Sequence, residues 1–119
     1  MNLRPLEKKA LSEIKAFIDT HYTDALTLDS LCGRHWQGDE VSFRRRRLHE
    51  AFSSTYLQTI SEYLATVRME HAKTLLQTTD LSIRAIAAQV GYKGSTSFST
   101  AFRRHVGVSP SVYRGSVTG

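Results

Sequence analysis

Apolar residues recur at helical spacing along nearly the whole chain. Leu11, Ile14 and Ile18 follow one another every three to four residues and predict a first helix over about 6–21. No stretch of strand length alternates between apolar and polar residues. The pattern therefore predicts an all-α fold with about seven helices.

Cap residues mark where the next two helices begin. Thr27 stands before an apolar run and predicts the N-cap of a short helix. Gly33 and Gly38 then bracket a stretch that we expect to be irregular, and a third helix is predicted over about 42–53. The side chains expected to face inward from this third helix are Leu48, Ala51 and Phe52.

The longest predicted helix begins at a capping box, in which Thr59 is followed three residues later by Glu62. Its apolar stripe continues to about Gln77, which gives a length of roughly 27 Å at 1.5 Å per residue. Ser82 then predicts the cap of a short helix that Gly91 ends in the left-handed conformation. A further helix is predicted over about 95–105, with Ser95 as its cap.

Residues 81–105 have the outline of a helix-turn-helix, and the second helix carries two contrasting stripes. Short hydroxyl side chains can approach base edges closely, and Arg103 and Arg104 can reach phosphates. Hydroxyl residues form helices poorly, so their density here favours a functional role over a solvated face, although periodicity alone leaves both interpretations open. The polar stripe consists of Thr96, Ser99, Thr100 and Arg103.

Residues 27–53 have the same outline, with four successive arginines on the second helix. Arg46 and His49 could read guanine or contact phosphate, and Glu50 could accept a hydrogen bond from a cytosine amino group. The remaining arginines are expected to grip the DNA backbone; they are Arg44, Arg45 and Arg47. Non-specific electrostatic attraction explains the arginine run equally well at this point.

Composition places the positive charge in the last two thirds of the chain. The 119 residues include 16 Lys+Arg and 11 Asp+Glu, for a net charge of +5. Residues 1–40 carry five basic and seven acidic side chains, whereas residues 41–119 carry eleven and four. A basic surface of this kind is typical of proteins that bind a polyanion.

Several other classes of protein are disfavoured. A lone Cys32 excludes an internal disulfide, and no segment approaches the roughly 18–20 apolar residues of a membrane span, so a cytoplasmic protein is expected. Cys32, His35 and His49 supply at most three of the four ligands that a structural zinc ion needs. No phosphate-binding glycine loop or nucleophile elbow is present. We therefore expect no enzymatic activity, no metal and no cofactor.

Taken together, these segments resemble the AraC/XylS family of bacterial transcription regulators. The resemblance extends over about residues 10–114 and depends on order and spacing as well as on residue type. The segments that carry it are 81–92, 97–104, 107–110 and 113–114, with Tyr63, Leu64, Arg68, Ala72, Leu75 and Leu76 upstream. Three departures lie in the first half: Cys32 stands where the family usually has Ala, extra residues fall within 33–42, and Leu57 replaces a frequent Gly.

The resemblance implies two helix-turn-helix subdomains joined by a long linker helix. Their expected bounds are 1–58, with an inserted turn at 33–42, then 59–78 for the linker and 79–119 for the second subdomain. The recognition helices would enter successive major-groove segments about one helical turn, or ~34 Å, apart. The implied DNA contacts are Ser95, Thr96, Ser99, Thr100, Arg103 and Arg104 in the second subdomain, and Arg44, Arg45, Arg46, Arg47, His49 and Glu50 in the first.

The implied partners are double-stranded promoter DNA and RNA polymerase, the latter through an exposed face. The 119 residues contain no effector-binding or dimerisation domain, so we expect either a naturally short regulator that acts as a monomer or the DNA-binding part of a longer protein. The alternative hypothesis is a helical co-regulator that binds protein and has lost specific DNA reading in its first helix-turn-helix. The inserted turn at 33–42 and Glu50 are the features that favour this alternative.

Overall fold

The computed structural model describes residues 2–36 and 41–118, apart from the side chains of 34–35, 41–43 and 117–118. Regular structure in these ranges is entirely helical, as the sequence predicts. The helices are α1 (Pro5–His21), α2 (Leu28–His35), α3 (Val41–Tyr56), α4 (Ile60–Thr78), α5 (Ile83–Gln89), α6 (Ser95–Val106) and α7 (Pro110–Thr118).

The chain divides into two compact units, which we call unit 1 (Met1–Leu64) and unit 2 (Ala65–Gly119). In unit 1, α1 packs on both α2 and α3. The inward faces predicted for α1 and α3 are confirmed, because each of these side chains is at most 1% exposed. This part of the core contains Leu11, Ile14, Ile18, Leu31, Leu48, Ala51 and Phe52.

Helix α2 extends beyond Gly33, where the sequence predicts an irregular stretch. Thr27 caps it as expected, since its hydroxyl accepts a hydrogen bond from the Ser30 amide at 3.1 Å. The expectation that Gly33 begins an irregular stretch is wrong, because this residue lies inside the helix. Burial of Cys32 and Trp36, 4% and 3% exposed, outweighs the weak helix propensity of glycine. Of the expected inserted turn, residues 37–40 lie outside the described residues.

Helix α3 is also longer than predicted and ends at Tyr56. Leu57 follows with a φ of 59°, and its amide donates to the carbonyl of Ser53 at 2.9 Å. A left-handed residue after the last turn satisfies helix carbonyls, and glycine is the residue usually found there. Leu57 instead places a leucine side chain in solvent, 88% exposed.

Unit 2 is built around aromatic rings from α6 and α7. Phe98 and Phe102 are fully buried, and their ring centroids lie 5.8 Å apart. Tyr113 of α7 meets Phe102 edge to face at 5.5 Å, and Tyr92 meets Phe98 at 5.7 Å. The apolar stripes of α4 and α5 complete this core with Met69, Ala72, Leu76, Ile86, Ala87 and Val90.

The ends of α4 have dedicated hydrogen-bond partners. At its start the predicted capping box is confirmed, because Thr59 and Glu62 satisfy each other's backbone amides at 2.9 and 3.1 Å. At its end the guanidinium of Arg114 donates to the carbonyls of Leu76 and Thr79, both at 3.2 Å. A cation at this position also opposes the negative end of the helix dipole.

The turn between α5 and α6 follows the predicted glycine. Ser82 caps α5 by accepting from the Ala85 amide at 3.1 Å, and Gly91 adopts a φ of 101°. The prediction that Ser95 caps α6 is wrong: the cap is Gly94, whose carbonyl accepts from the Phe98 amide, and Ser95 is the first helical residue. Among the described residues, no helix combines the length and apolar character that crossing a membrane requires.

Candidate nucleic-acid interface

Helix α6 has one face in the core and one face in solvent. Phe98 and Phe102 fix the inner face, since both are fully buried. Thr96, Thr100 and Arg103 stand exposed on the outer side, as does the adjacent Arg104. Ser95 and Ser99 lie half-buried at the margins. The hydroxyl and arginine stripe predicted from the sequence is therefore a real surface of unit 2.

Four of the predicted contact residues share one open groove of about 520 Å³. Ser99, Thr100, Arg103 and Arg104 line it together with Ser109, which stands at the start of α7. Ser109 accepts from the Val112 amide at 3.2 Å and so caps α7. The groove thus combines two cations with hydroxyl groups and a helix N-terminus, a combination suited to an anionic ligand such as a phosphate.

The two arginines of this groove have no carboxylate at ion-pair distance in the described part of the chain. Unit 2 as a whole contains seven basic residues but only Glu70 and Asp80 as acids. Glu70 lies 3.2 Å from Lys73, which leaves few carboxylates to oppose the charge on α6.

The turn that sets the direction of α6 is braced by a residue of the linker helix. The guanidinium of Arg68 lies over the Tyr92 ring, 5.3 Å from its centroid, and directly against the backbone of Gly91. A cation over an aromatic face is attracted to the ring's electron density. The sequence does not predict this role for Arg68. The residue is noticed there only because it is one of those that carry the family resemblance.

The outer face of α3 carries three of the residues expected to read bases. Arg46, His49 and Glu50 are all exposed. Arg46 Nε lies 3.8 Å from Glu50 Oε1, one helical turn away, so the two charges partly offset each other. Ser53, about one turn further along α3, is half-buried.

Two of the arginines expected to grip DNA already have carboxylate partners. Arg47 forms a two-pronged pair with Glu7 of α1, with distances of 2.9 Å from Nε to Oε2 and 3.0 Å from Nη2 to Oε1. This pairing lowers the pKa of Glu7 from 4.5 to about 2, and it raises the pKa of Arg47. Arg45 Nη1 lies 3.2 Å from Asp29 Oδ1 at the start of α2.

Arg44 faces the body of unit 1 more than solvent. Its side chain is half-buried, and its Nε makes no hydrogen bond within the described part of the chain. Burial raises the pKa of the neighbouring Cys32 thiol, and the positive charge of Arg44 only partly opposes that shift. Cys32 itself is buried in the core of unit 1.

Metal-ligating chemistry finds little support in this surface. The described residues contain no group of three His, Cys, Asp or Glu side chains placed to hold an ion. Of the three residues weighed as ligands, Cys32 is buried and His49 is exposed. The side chain of His35 lies outside the description.

Comparison with known proteins agrees with this architecture. A family model described as a helix-turn-helix domain matches residues 38–116. The chain is 34% identical over 102 residues to the raffinose operon transcriptional regulatory protein RafR of Pediococcus pentosaceus, an alignment covering 86% of this chain and 35% of that protein. The chain spans about a third of the length of the curated relatives it matches.

Solved structures give the same answer. The C-terminal domain of AraT, a response regulator from Geobacillus stearothermophilus, matches with a TM-score of 0.79 and 31% identity, over 98% of this chain and 88% of that one. The DNA-binding domain of AdpA, a global transcriptional factor crystallised with a target DNA, matches with a TM-score of 0.79 and 27% identity, over 90% and 91% of the two chains.

Two helix-turn-helix units on an all-helical scaffold are the architecture of a DNA-binding module. The chain belongs to the AraC/XylS family of bacterial transcription regulators. The part of the family that it represents is the DNA-binding domain.

Proposed function

We propose that this chain reads promoter DNA by inserting α6 and α3 into successive major-groove segments. The observation that carries the proposal is the split surface of α6: Phe98 and Phe102 are fully buried, whereas Thr96, Thr100 and Arg103 face solvent. An α-helix fits the major groove, where each base pair presents its own pattern of donors, acceptors and methyl groups. The short hydroxyl side chains allow the helix to approach those edges closely.

On α6 the roles divide by side-chain length. Thr96 and Thr100 contact base edges or a thymine methyl, with Ser95 and Ser99 beside them at the margins of the face. Arg103 and Arg104 reach phosphate oxygens from the groove that they line with Ser109. The hydroxyls therefore determine which sequence is preferred, and the arginines determine affinity for DNA in general.

On α3, Arg46, His49 and Glu50 contact bases, since all three side chains are exposed. Arg45 approaches phosphate after it leaves Asp29. Arg44 and Arg47 hold the helix in place instead, because Arg47 is bound to Glu7 and Arg44 is half-buried. Of the six α3 residues that the family resemblance implied as DNA contacts, four therefore remain.

The remaining partners follow from the family rather than from a site on this chain. We propose that the chain acts as a monomer on the bacterial nucleoid in the cytoplasm and contacts RNA polymerase through a surface away from α3 and α6. The relative RafR is named for a raffinose operon. By analogy, the regulated promoter here would control a small set of metabolic genes.

Selection from a pool of random duplexes tests the proposal and requires no known operator sequence. The wild type should enrich a defined motif with two conserved blocks. Thr96→Ala should change the base preferred in one block, at a loss of about 1–3 kcal/mol for each base contact removed. Arg103→Gln should weaken binding to selected and scrambled duplexes alike.

The two variants control for each other, because both alter the exposed face of α6 and neither touches its core. If the wild type enriches no motif and binds all duplexes equally weakly, the DNA-reading proposal is refuted. The co-regulator hypothesis would then gain support. If Thr96→Ala and Arg103→Gln both lower affinity uniformly, α6 grips the backbone without reading sequence.

A further inference from the structure

The charge of the chain is distributed unequally between its two units. Unit 1 contains nine basic and nine acidic residues, so its net charge is zero even with four consecutive arginines on α3. The whole net charge of +5 therefore belongs to unit 2. Because DNA affinity depends on phosphate contacts that release counterions, the two units are not equivalent toward a polyanion.

Three of the four arginines of α3 lie within 4 Å of a carboxylate, the longest of these pairs being Arg46 with Glu50 at 3.8 Å. Arg47 is bound two-pronged to Glu7, with both side chains largely covered at 26% and 19% exposure. Arg45 lies against Asp29, but here the two side chains are 44% and 64% exposed. An exposed pair of this kind is weak and open to competition. A DNA phosphate offers Arg45 the same geometry with charge-assisted hydrogen bonds.

Asp29 is well placed to act as that competitor. It lies in the first turn of α2, where the positive end of the helix dipole favours an ionised carboxylate. On α6, by contrast, Arg103 and Arg104 have no carboxylate to displace within the described residues. A phosphate that approaches Arg45 must replace Asp29, whereas one that approaches Arg103 meets an unpaired cation.

We infer that Asp29 competes with DNA phosphate for Arg45, so that unit 2 anchors the chain on any DNA and unit 1 adds little to that non-specific binding. The inference rests on the proposed function and assigns different roles to its two recognition helices, α6 and α3. Asp29 is then a residue that limits DNA affinity, although it contacts no DNA itself.

Salt titration of binding to a duplex of scrambled sequence tests the inference on the full chain. Arg103→Gln should reduce the slope of log K against log salt by about 0.9, the value for one phosphate contact, whereas Arg45→Gln should leave it nearly unchanged. Asp29→Asn should steepen the slope by up to about 0.9 and raise affinity by up to about five-fold at 0.1 M salt, because the exposed pair that it removes is weak. This gain should vanish in the double variant Asp29→Asn, Arg45→Gln.

Glu70→Gln is the matched control. Glu70 lies 3.2 Å from Lys73 and is 65% exposed, so the substitution removes the same charge from a similar pair outside α3. Equal gains from Asp29→Asn and Glu70→Gln would overturn the inference, since net charge alone would then explain them. A gain from Asp29→Asn that persists without Arg45 would overturn it too. Failure of the wild type to bind any duplex would refute the proposed function instead.

Discussion

Gly91 is the position where a single methyl group should reveal how the α5–α6 turn is held. Its φ of 101° lies in the left-handed region, and a Cβ built there would stand 3.1 Å from three atoms of the Arg68 guanidinium. The left-handed conformation costs an L-residue with a side chain about 1–2 kcal/mol. The close contact adds to this, because the Arg68 guanidinium must shift by a few tenths of an ångström from its place over the Tyr92 ring. We expect Gly91→Ala to lower the free energy of unfolding by about 2–3 kcal/mol.

Two other glycines of unit 2 separate the contributions. Gly107 has a similar φ of 97° but open space around the added Cβ, so Gly107→Ala should cost only about 1–2 kcal/mol. Gly115 lies inside α7 with nothing within 4 Å, so Gly115→Ala should stabilise the protein by about 0.5–1 kcal/mol. The same substitution thus has opposite signs within one unit.

Urea unfolding followed by circular dichroism measures these differences. In an Arg68→Ala background, Gly91→Ala should cost no more than Gly107→Ala does, because the atoms that it strikes are gone. A Gly91→Ala variant as stable as the wild type would refute the reasoning on both conformation and contact. If Gly91→Ala has the same cost in the Arg68→Ala background as in the wild type, the contribution of the contact is refuted, whereas that of the left-handed backbone is not.

Two further predictions concern titratable groups in unit 1. Because pairing with Arg47 lowers the pKa of Glu7 from 4.5 to about 2, its contribution to stability is complete above pH 4.5 and is lost as the pH falls towards 2. Glu7→Gln should flatten the acid side of the stability curve in thermal scans, and an unchanged curve would contradict the pairing. Burial raises the pKa of Cys32, so its thiol should react with a disulfide reagent far more slowly in native buffer than in urea. Equal rates would show that Cys32 is accessible.

Local signals in the sequence were sufficient for most of the fold. The capping box at Thr59 and Glu62, the cap at Ser82 and the left-handed Gly91 each depend on side chains within a few residues. The buried faces of α1 and α3 follow from helical periodicity alone. These features could be predicted because the interactions that create them are local, between residues close together in the sequence.

Two of the differences between the sequence predictions and the structure have their physical origin in tertiary contacts. Gly33 was expected to end α2, but burial of Cys32 and Trp36 on either side of it keeps the helix intact. The pairing of Arg47 with Glu7 joins residues 40 positions apart, which no local pattern contains. The sequence does not distinguish the four adjacent arginines. Only the packing of the surrounding helices determines which of them face solvent and which stabilise the fold.

Methylation interference at guanine N7 on a selected duplex reveals whether both recognition helices occupy the major groove. Guanine N7 lies in that groove, so a methyl group there blocks a recognition helix at the position it occupies. We expect two clusters of interference about 10 bp apart on one face of the DNA, one for α6 and one for α3. Thr96→Ala should weaken only one cluster. A single cluster, or interference unaffected by substitutions on either helix, would contradict the claim that both units read DNA.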